Sequence, residues 1–211
     1  RLQQETIPLR KISDFKSKLT GGGARPNLFE VVLAFPSTVA PVNENEVLQK
    51  SRFLVKAAAL PASTIAPVEI PFRGRILKVA GDRTFEPWSV TVVNDGQFGI
   101  RKAFETWSRG INALTENVSQ LGYGDDNPGY CVDLEVFQLG RDKQKPNKTP
   151  QSMTSQGRDG MEVVRAYKFY DAWPSSLSAI DLSYESNDQI EEFTVEFQYN
   201  YYEVSKPNLD T

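Results

Sequence analysis

Ala80-Gly81-Asp82-Arg83-Thr84-Phe85-Glu86-Pro87-Trp88 runs without a break into Ser89-Val90-Thr91-Val92-Val93-Asn94-Asp95, and these sixteen residues decide the reading of the fold. Gly81 tolerates a positive φ and the Asp82 side chain can bond nearby amides, so Gly81-Asp82 reads as a tight turn. Phe85 and Trp88 follow, and Val90, Val92 and Val93 around Thr91 read as a mostly buried β-branched strand. Asn94-Asp95 closes that strand and offers an N-cap to whatever helix comes next.

Upstream, Leu28 to Phe35 reads as an apolar strand ended by Pro36, and Phe53 to Ala59 as a second, stopped at Leu60-Pro61. Residues 61–71 hold Pro61, Pro67 and Pro71 and are expected to be extended but poor at forming a ladder. Phe72 to Val79 is a further strand leading into the Gly81-Asp82 turn. Downstream, Ile100, Phe104, Trp107 and Ile111 fall on one helical stripe, with Arg101–Glu105 and Glu105–Arg109 spaced as i,i+4 ion pairs on the other face. Tyr130 to Leu139 alternates: Val132, Leu134 and Val136 point one way, Cys131, Asp133, Glu135 and Phe137 the other. Glu162 to Tyr170 is its candidate partner strand, broken by Trp173-Pro174. Ile180, Leu182 and Tyr184, the turn Ser186-Asn187-Asp188, and the alternating face Phe193, Val195, Phe197, Tyr199 and Tyr201 read as a closing hairpin, with a loose tail after Tyr202. Seven or eight strands and one good helix predict a mainly β protein, an antiparallel β-sandwich or barrel with one flanking α-helix.

At 211 residues, 39% hydrophobic and 24% charged, the chain has the composition of a soluble globular protein able to build its own core. It has no histidine, which removes Ser-His and Cys-His dyads and His-ligated metals. The single Cys131 cannot pair within the chain and reads as a small packing residue. No run approaches the ~20 apolar residues of a membrane span. Charge is uneven: residues 1–25 carry six Lys/Arg against two Asp/Glu and residues 141–160 five against two, on a chain of net charge −3. Two basic pieces therefore sit on an acidic body. The expected organisation is an arm and glycine hinge over 1–23, one β domain over 24–204 with a basic loop at 140–160, and a tail over 205–211. Within the arm, Ile12, Phe15 and Leu19 form a short stripe, either frayed or docked on another subunit.

The opening stretch resembles the central motif of the tail tube proteins of contractile-tailed bacteriophages, through Gly81, Asp82, Arg83, Phe85 and Trp88. Ala24-Arg25-Pro26-Asn27-Leu28-Phe29 resembles the approach to that family's first strand. Trp173-Pro174 with Leu182-Ser183-Tyr184-Glu185-Ser186-Asn187-Asp188-Gln189-Ile190-Glu191-Glu192-Phe193 resembles its closing hairpin. The resemblance implies a subunit of six-fold rings whose sheets line a channel, stacked into a tube that conducts DNA into the host without binding it specifically. It implies contacts with further copies of the chain, the tail sheath protein, a baseplate tube initiator and a tail terminator, in a virion tail assembled in the host cytoplasm. On that reading the helix bearing Arg101, Lys102, Glu105 and Arg109 faces the sheath. Strand parity makes Asp133, Glu135, Glu192 and Glu196 the candidate channel-facing carboxylates, and Ile12, Phe15 and Leu19 the candidate inter-ring arm. Carboxylate on the wall would repel a phosphate backbone over the roughly 8–10 Å that salt leaves unscreened. The long basic arm and the 140–160 loop depart from the family pattern.

Other classes meet specific obstacles. A related contractile injection or type VI secretion tube would share the fold but carry no genome. A ligand-binding β-sandwich could stack sugars on Trp88, Trp107 or Trp173, of which only Trp173 lacks an obvious packing role. A carboxylate hydrolase would need Asp125/Asp126, in an exposed turn, or Glu191/Glu192, which as strand neighbours face opposite sides. The Asp125-Asp126-Asn127-Pro128-Gly129 run lacks the spacing of a calcium loop. No enzyme activity, metal or cofactor is expected.

Overall fold

A strand packed on one side buries every second residue, and Trp88–Val93 does so: Trp88, Val90 and Val92 are buried while Ser89, Thr91 and Val93 are partly exposed. The computed structural model describes residues 11–19, 23–37, 39, 50–123, 129–143 and 161–205. They contain helix α1 (Ile12–Lys18), strands β1 (Phe29–Val32), β2 (Val55–Ala58), β3 (Ser63–Phe72), β4 (Arg75–Phe85) and β5 (Trp88–Val93), and helix α2 (Gly99–Ile111). Strands β6 (Val132–Lys143), β7 (Met161–Leu177), β8 (Glu192–Gln198) and β9 (Tyr201–Ser205) follow. A helical turn at 50–54 leads into β2.

Seven strands form one antiparallel sheet in the order β1-β6-β7-β8-β5-β2, with β9 also on β7. The seventeen-residue β7 serves two leaves. Up to Ala172 it pairs with β6 and β9; from Trp173 onward it pairs with β8. Asp171, at φ 55°, marks the change. Leaf A is thus β1, β6, early β7 and β9; leaf B is late β7, β8, β5 and β2. Their inner faces share one core with α2, in which Trp88 stacks on Phe169 at 4.4 Å and Phe104 meets Phe193 and Phe197 at 6.3 and 5.8 Å. Each such aromatic contributes ~1.5–3 kcal/mol by burial. Both buried indoles keep a partner: Trp88 Nε1 donates to Ala59 O at 2.6 Å and Trp107 Nε1 to Tyr130 O at 2.9 Å. The α2 stripe lies as its periodicity predicts, and Asp95 Oδ1 accepts the Gly99 N–H at 2.9 Å.

Several expectations are corrected. Gly81-Asp82 is not a turn. β4 runs straight through it, and both residues oppose Ala66 alone, because Ile65 pairs with Arg83 and Pro67 with Ala80. Glycine is needed there for close approach: a Cβ on Gly81 would sit 2.6 Å from Ala66 O. The real turn is Arg73-Gly74, with φ of 44° and 79°. Residues 63–72 are not poor ladder formers but pair with β4 along their length, in a two-stranded ribbon separate from the main sheet. The first two strands are shorter than expected, Phe53 falling in the helical turn; Leu33 and Phe35 stay buried beyond the β1 ladder.

The closing hairpin is absent. Residues 178–191 carry no strand, and β8 pairs instead with β5 and β7. Its alternation holds through Phe193, Val195, Phe197 and Tyr199. It ends where the chain crosses to leaf A, and Tyr201 stacks on Tyr170 outside the core at 4.6 Å. The ladder continues to Ser205 rather than loosening after Tyr202. Phe137, assigned to a polar face, is buried with Leu139, Val163 and Ala166 in a second small cluster. Residues 1–10, the Asp125-Asp126 run and 144–160 lie outside the described residues, as does everything after Ser205.

Candidate assembly surfaces

A surface that assembles should show apolar side chains its own chain leaves uncovered, and the ribbon does. Register puts Val68, Ile70 and Phe72 of β3 on one face with Arg75, Leu77 and Val79 of β4. Val68, Ile70, Leu77 and Val79 are 42–59% exposed. The opposite face carries Pro67, Pro71, Ile76 and the Glu69–Lys78 ion pair at 3.4 Å. Among the described residues the ribbon's root meets the body: the Phe85 ring lies 5.9 and 5.6 Å from Tyr199 and Tyr202, and the Tyr202 hydroxyl reaches Ser63 Oγ at 3.5 Å. The motif residues thus divide by task. Gly81 admits the bulge, Phe85 anchors the root, Trp88 fills the core, and Asp82 and Arg83 stay exposed. Near that root, burial pushes the Tyr199 hydroxyl up to about 12.

The four candidate carboxylates do not share a surface. Glu192 and Glu196 lie on the outer face of leaf B with Ser89, Thr91, Val93, Thr194 and Gln198. Glu192 is paired with Lys56, Thr194 with Thr91, and Glu196 is exposed. Asp133 and Glu135 lie on the outer face of leaf A. There Asp133 takes Lys168 at 2.8 Å, Lys168 sits over the Tyr170 ring at 4.7 Å, and Tyr170 donates to Glu203 at 3.0 Å. The hydrogen bond to Asp133 raises the Lys168 pKa, and the one to Glu203 raises that of Tyr170. Burial raises the Glu135 carboxyl, against Lys168 and Arg52, which pull it down. The two leaves turn their inner faces to one core, so these outer faces look away from each other.

On α2, Lys102, Glu105 and Arg109 are exposed. Arg101 is not with them. Although it pairs with Glu105 at 2.9 Å, its Nη1 donates to Ser178 O at 2.7 Å and its guanidinium lies over the Phe193 ring at 5.1 Å. Ile12, Phe15 and Leu19 are all exposed, without cover from the other described residues. Trp173, the remaining sugar-stacking candidate, packs against the core and edge-on to Tyr130. Sequence reasoning missed the ribbon and the exposed Leu182, Tyr184 and Ile190 of the 178–191 segment. The Arg73-Gly74 pair was the available signal for the first.

A family model described as phage tail tube protein matches residues 24–205. The chain belongs to the phage tail tube protein family. The tail tube protein gp19 of Enterobacteria phage T4 is 29% identical over 184 residues, covering 87% of this chain and 93% of that protein. The tail tube protein of Serratia phage KSP90 is 22% identical over 191 residues, covering 89% and 93%. Among solved structures, a chain in the 6-fold symmetrised baseplate of the anti-feeding prophage superposes with a TM-score of 0.53 at 13% identity, over 88% of this chain and 97% of that one. A chain of the PVC sheath-tube complex of an extracellular contractile injection system does so at 0.52 and 12%, over 90% and 97%. The resemblance to contractile-phage tail tubes therefore holds, and this tail tube protein is a structural component, not an enzyme. Among its described residues no helix is long and apolar enough to cross a membrane.

Proposed function

We propose that this tail tube protein assembles into stacked rings, six subunits to a ring, whose leaf B faces form the wall of a channel for DNA. The observation that carries the reading is the ribbon: a long apolar face that the chain leaves in water is a liability for a monomer and an asset for a polymer. Leaf B is the better wall for two reasons. Along β5 and β8 its outer face carries Ser89, Thr91, Thr194, Gln198, Glu192 and Glu196, a predominantly polar lining interrupted by Val93, with Trp173 opposite Gln198 at its end. It also looks away from α2, since Phe104 packs on the opposite, inner side of β8. Glu192 and Glu196 then line the bore, and Asp133 and Glu135 front a neighbouring subunit. Lys102, Glu105 and Arg109 face the sheath, and the Ile12, Phe15 and Leu19 stripe docks between rings. Residues 24–204 form the tube domain, in keeping with the span of the family match. A baseplate initiator and a terminator bound the tube, which is built in the host cytoplasm.

Electron microscopy of the purified chain at rising concentration, alone and with sheath protein, tests this. Hollow tubes with six-fold end views are expected; particles that stay single under both conditions end the proposal. The wall is tested by Glu196→Cys in a Cys131→Ser background. A bulky maleimide should label it in the monomer and fail to label it in the tube interior, while full labelling in tubes would move leaf B to the outside.

A further inference from the structure

The two edges of the ribbon are chemically unequal. A two-residue turn with both φ values positive closes a hairpin on a hydrogen-bonded pair, here Phe72 and Arg75. Alternation along the ladder makes Ile70–Leu77 and Val68–Val79 hydrogen-bonded pairs as well. Pro71–Ile76, Glu69–Lys78 and Pro67–Ala80 are then the intervening pairs without mutual hydrogen bonds. Residues in those pairs direct their backbone N–H and C=O away from the partner strand, toward the outer edge. On β3 the outward positions are 67, 69 and 71, and two of the three are proline, with no N–H to offer. On β4 they are Ile76, Lys78 and Ala80, and each keeps its donor. The prolines therefore leave the ribbon's own ladder intact and close one of its edges to any further strand.

We propose that the outer edge of β4 is the ribbon's docking edge, and that a strand edge of a second copy of this chain pairs with Ile76, Lys78 and Ala80. The inference rests on the tube-subunit reading above. A second copy is the occupant because a tube built from one chain requires a repeated contact between unlike surfaces. Two strands are also marginal alone, whereas a third gives the apolar face of Val68, Ile70, Leu77 and Val79 a sheet to belong to. Polymerisation is thereby directed: one edge of the ribbon recruits, the other refuses.

A matched pair of variants tests this. Glu69→Pro and Lys78→Pro replace partners in the same pair, break the same ion pair and spare the ribbon's own hydrogen bonds; only Lys78→Pro removes a donor from the β4 edge. Sedimentation velocity and microscopy should find Glu69→Pro assembling like the parent and Lys78→Pro at least tenfold impaired, with matching circular dichroism spectra. Equal assembly of the two, or a defect confined to Glu69→Pro, overturns the proposal. Amide hydrogen exchange of the unmodified chain decides independently should either variant misfold. Protection gained on polymerisation at Ile76, Lys78 and Ala80 but not at Glu69 is expected. Protection at Glu69 instead, or protection of the β4 amides when sheath protein is added to chains that stay unpolymerised, overturns it. A parent chain that never polymerises with or without sheath protein, yet has these amides exposed, would defeat the tube reading itself.

Discussion

Single residues divide into those that hold the body and those that hold the ribbon. Trp107 is fully buried and its indole N–H is bonded to Tyr130 O, so Trp107→Ala should cost about 3–5 kcal/mol in urea unfolding. Gly81→Ala should behave differently. Its methyl would meet Ala66 O, an overpacking worth about 1–3 kcal/mol, but the strain falls within the two-stranded ribbon, separate from the main sheet. Faster amide exchange across β3 and β4, with little change in the melting of the body, is the expected pair of results. Glu135 supplies a pH test. Burial raises its folded pKa above the unfolded value, so folding takes up a proton. Its favourable contribution is complete below the unfolded pKa and is lost as pH rises through the folded one. Glu135→Gln should therefore raise Tm at about pH 7 and do little at about pH 3.5. The opposite pH order would contradict the burial argument.

At the scale of elements, α2 shows how periodicity and packing part company. Arg101 and Arg109 were assigned to one outward face by spacing. The structure sends Arg101 to the end of β7 and over Phe193, leaving Arg109 in water. Arg101→Ala should cost about 1–2 kcal/mol, because Ser178 O loses a charged donor, and Arg109→Ala should stay within about 0.5 kcal/mol. Chemical denaturation of both separates the roles. The ribbon turn offers a complementary gain. Arg73 holds φ 44°, a conformation asparagine tolerates better. Arg73→Asn should slow exchange of the ribbon amides, offset in part by the lost contact between Arg73 and the Phe72 ring at 5.3 Å.

For the whole molecule, the apolar ribbon face separates folding from assembly. Leu77 is 59% exposed, so Leu77→Asp should leave monomer stability within about 0.5 kcal/mol while abolishing polymers in sedimentation. A polymerising Leu77→Asp chain would remove that face from the assembly contact. The same distinction explains what could be read in advance. The β5 and β8 strands and the α2 stripe were legible because each buries one face against its own core, and period-two or helical spacing records that burial directly. Three separate stretches, the motif residues among them, carried the family. Other features were decided by tertiary structure. Gly81-Asp82 has the same local chemistry in a turn as in a bulge, and only the register against Ala66 distinguishes them. The apolar residues of the ribbon look like core in sequence; nothing local says that the chain itself will leave them uncovered. Likewise Asp133, Glu135, Glu192 and Glu196 share a parity, but parity records only that a side chain points away from the core. Which outer face it occupies is set by β7 passing from one leaf to the other, a long-range pairing that no sequence window contains.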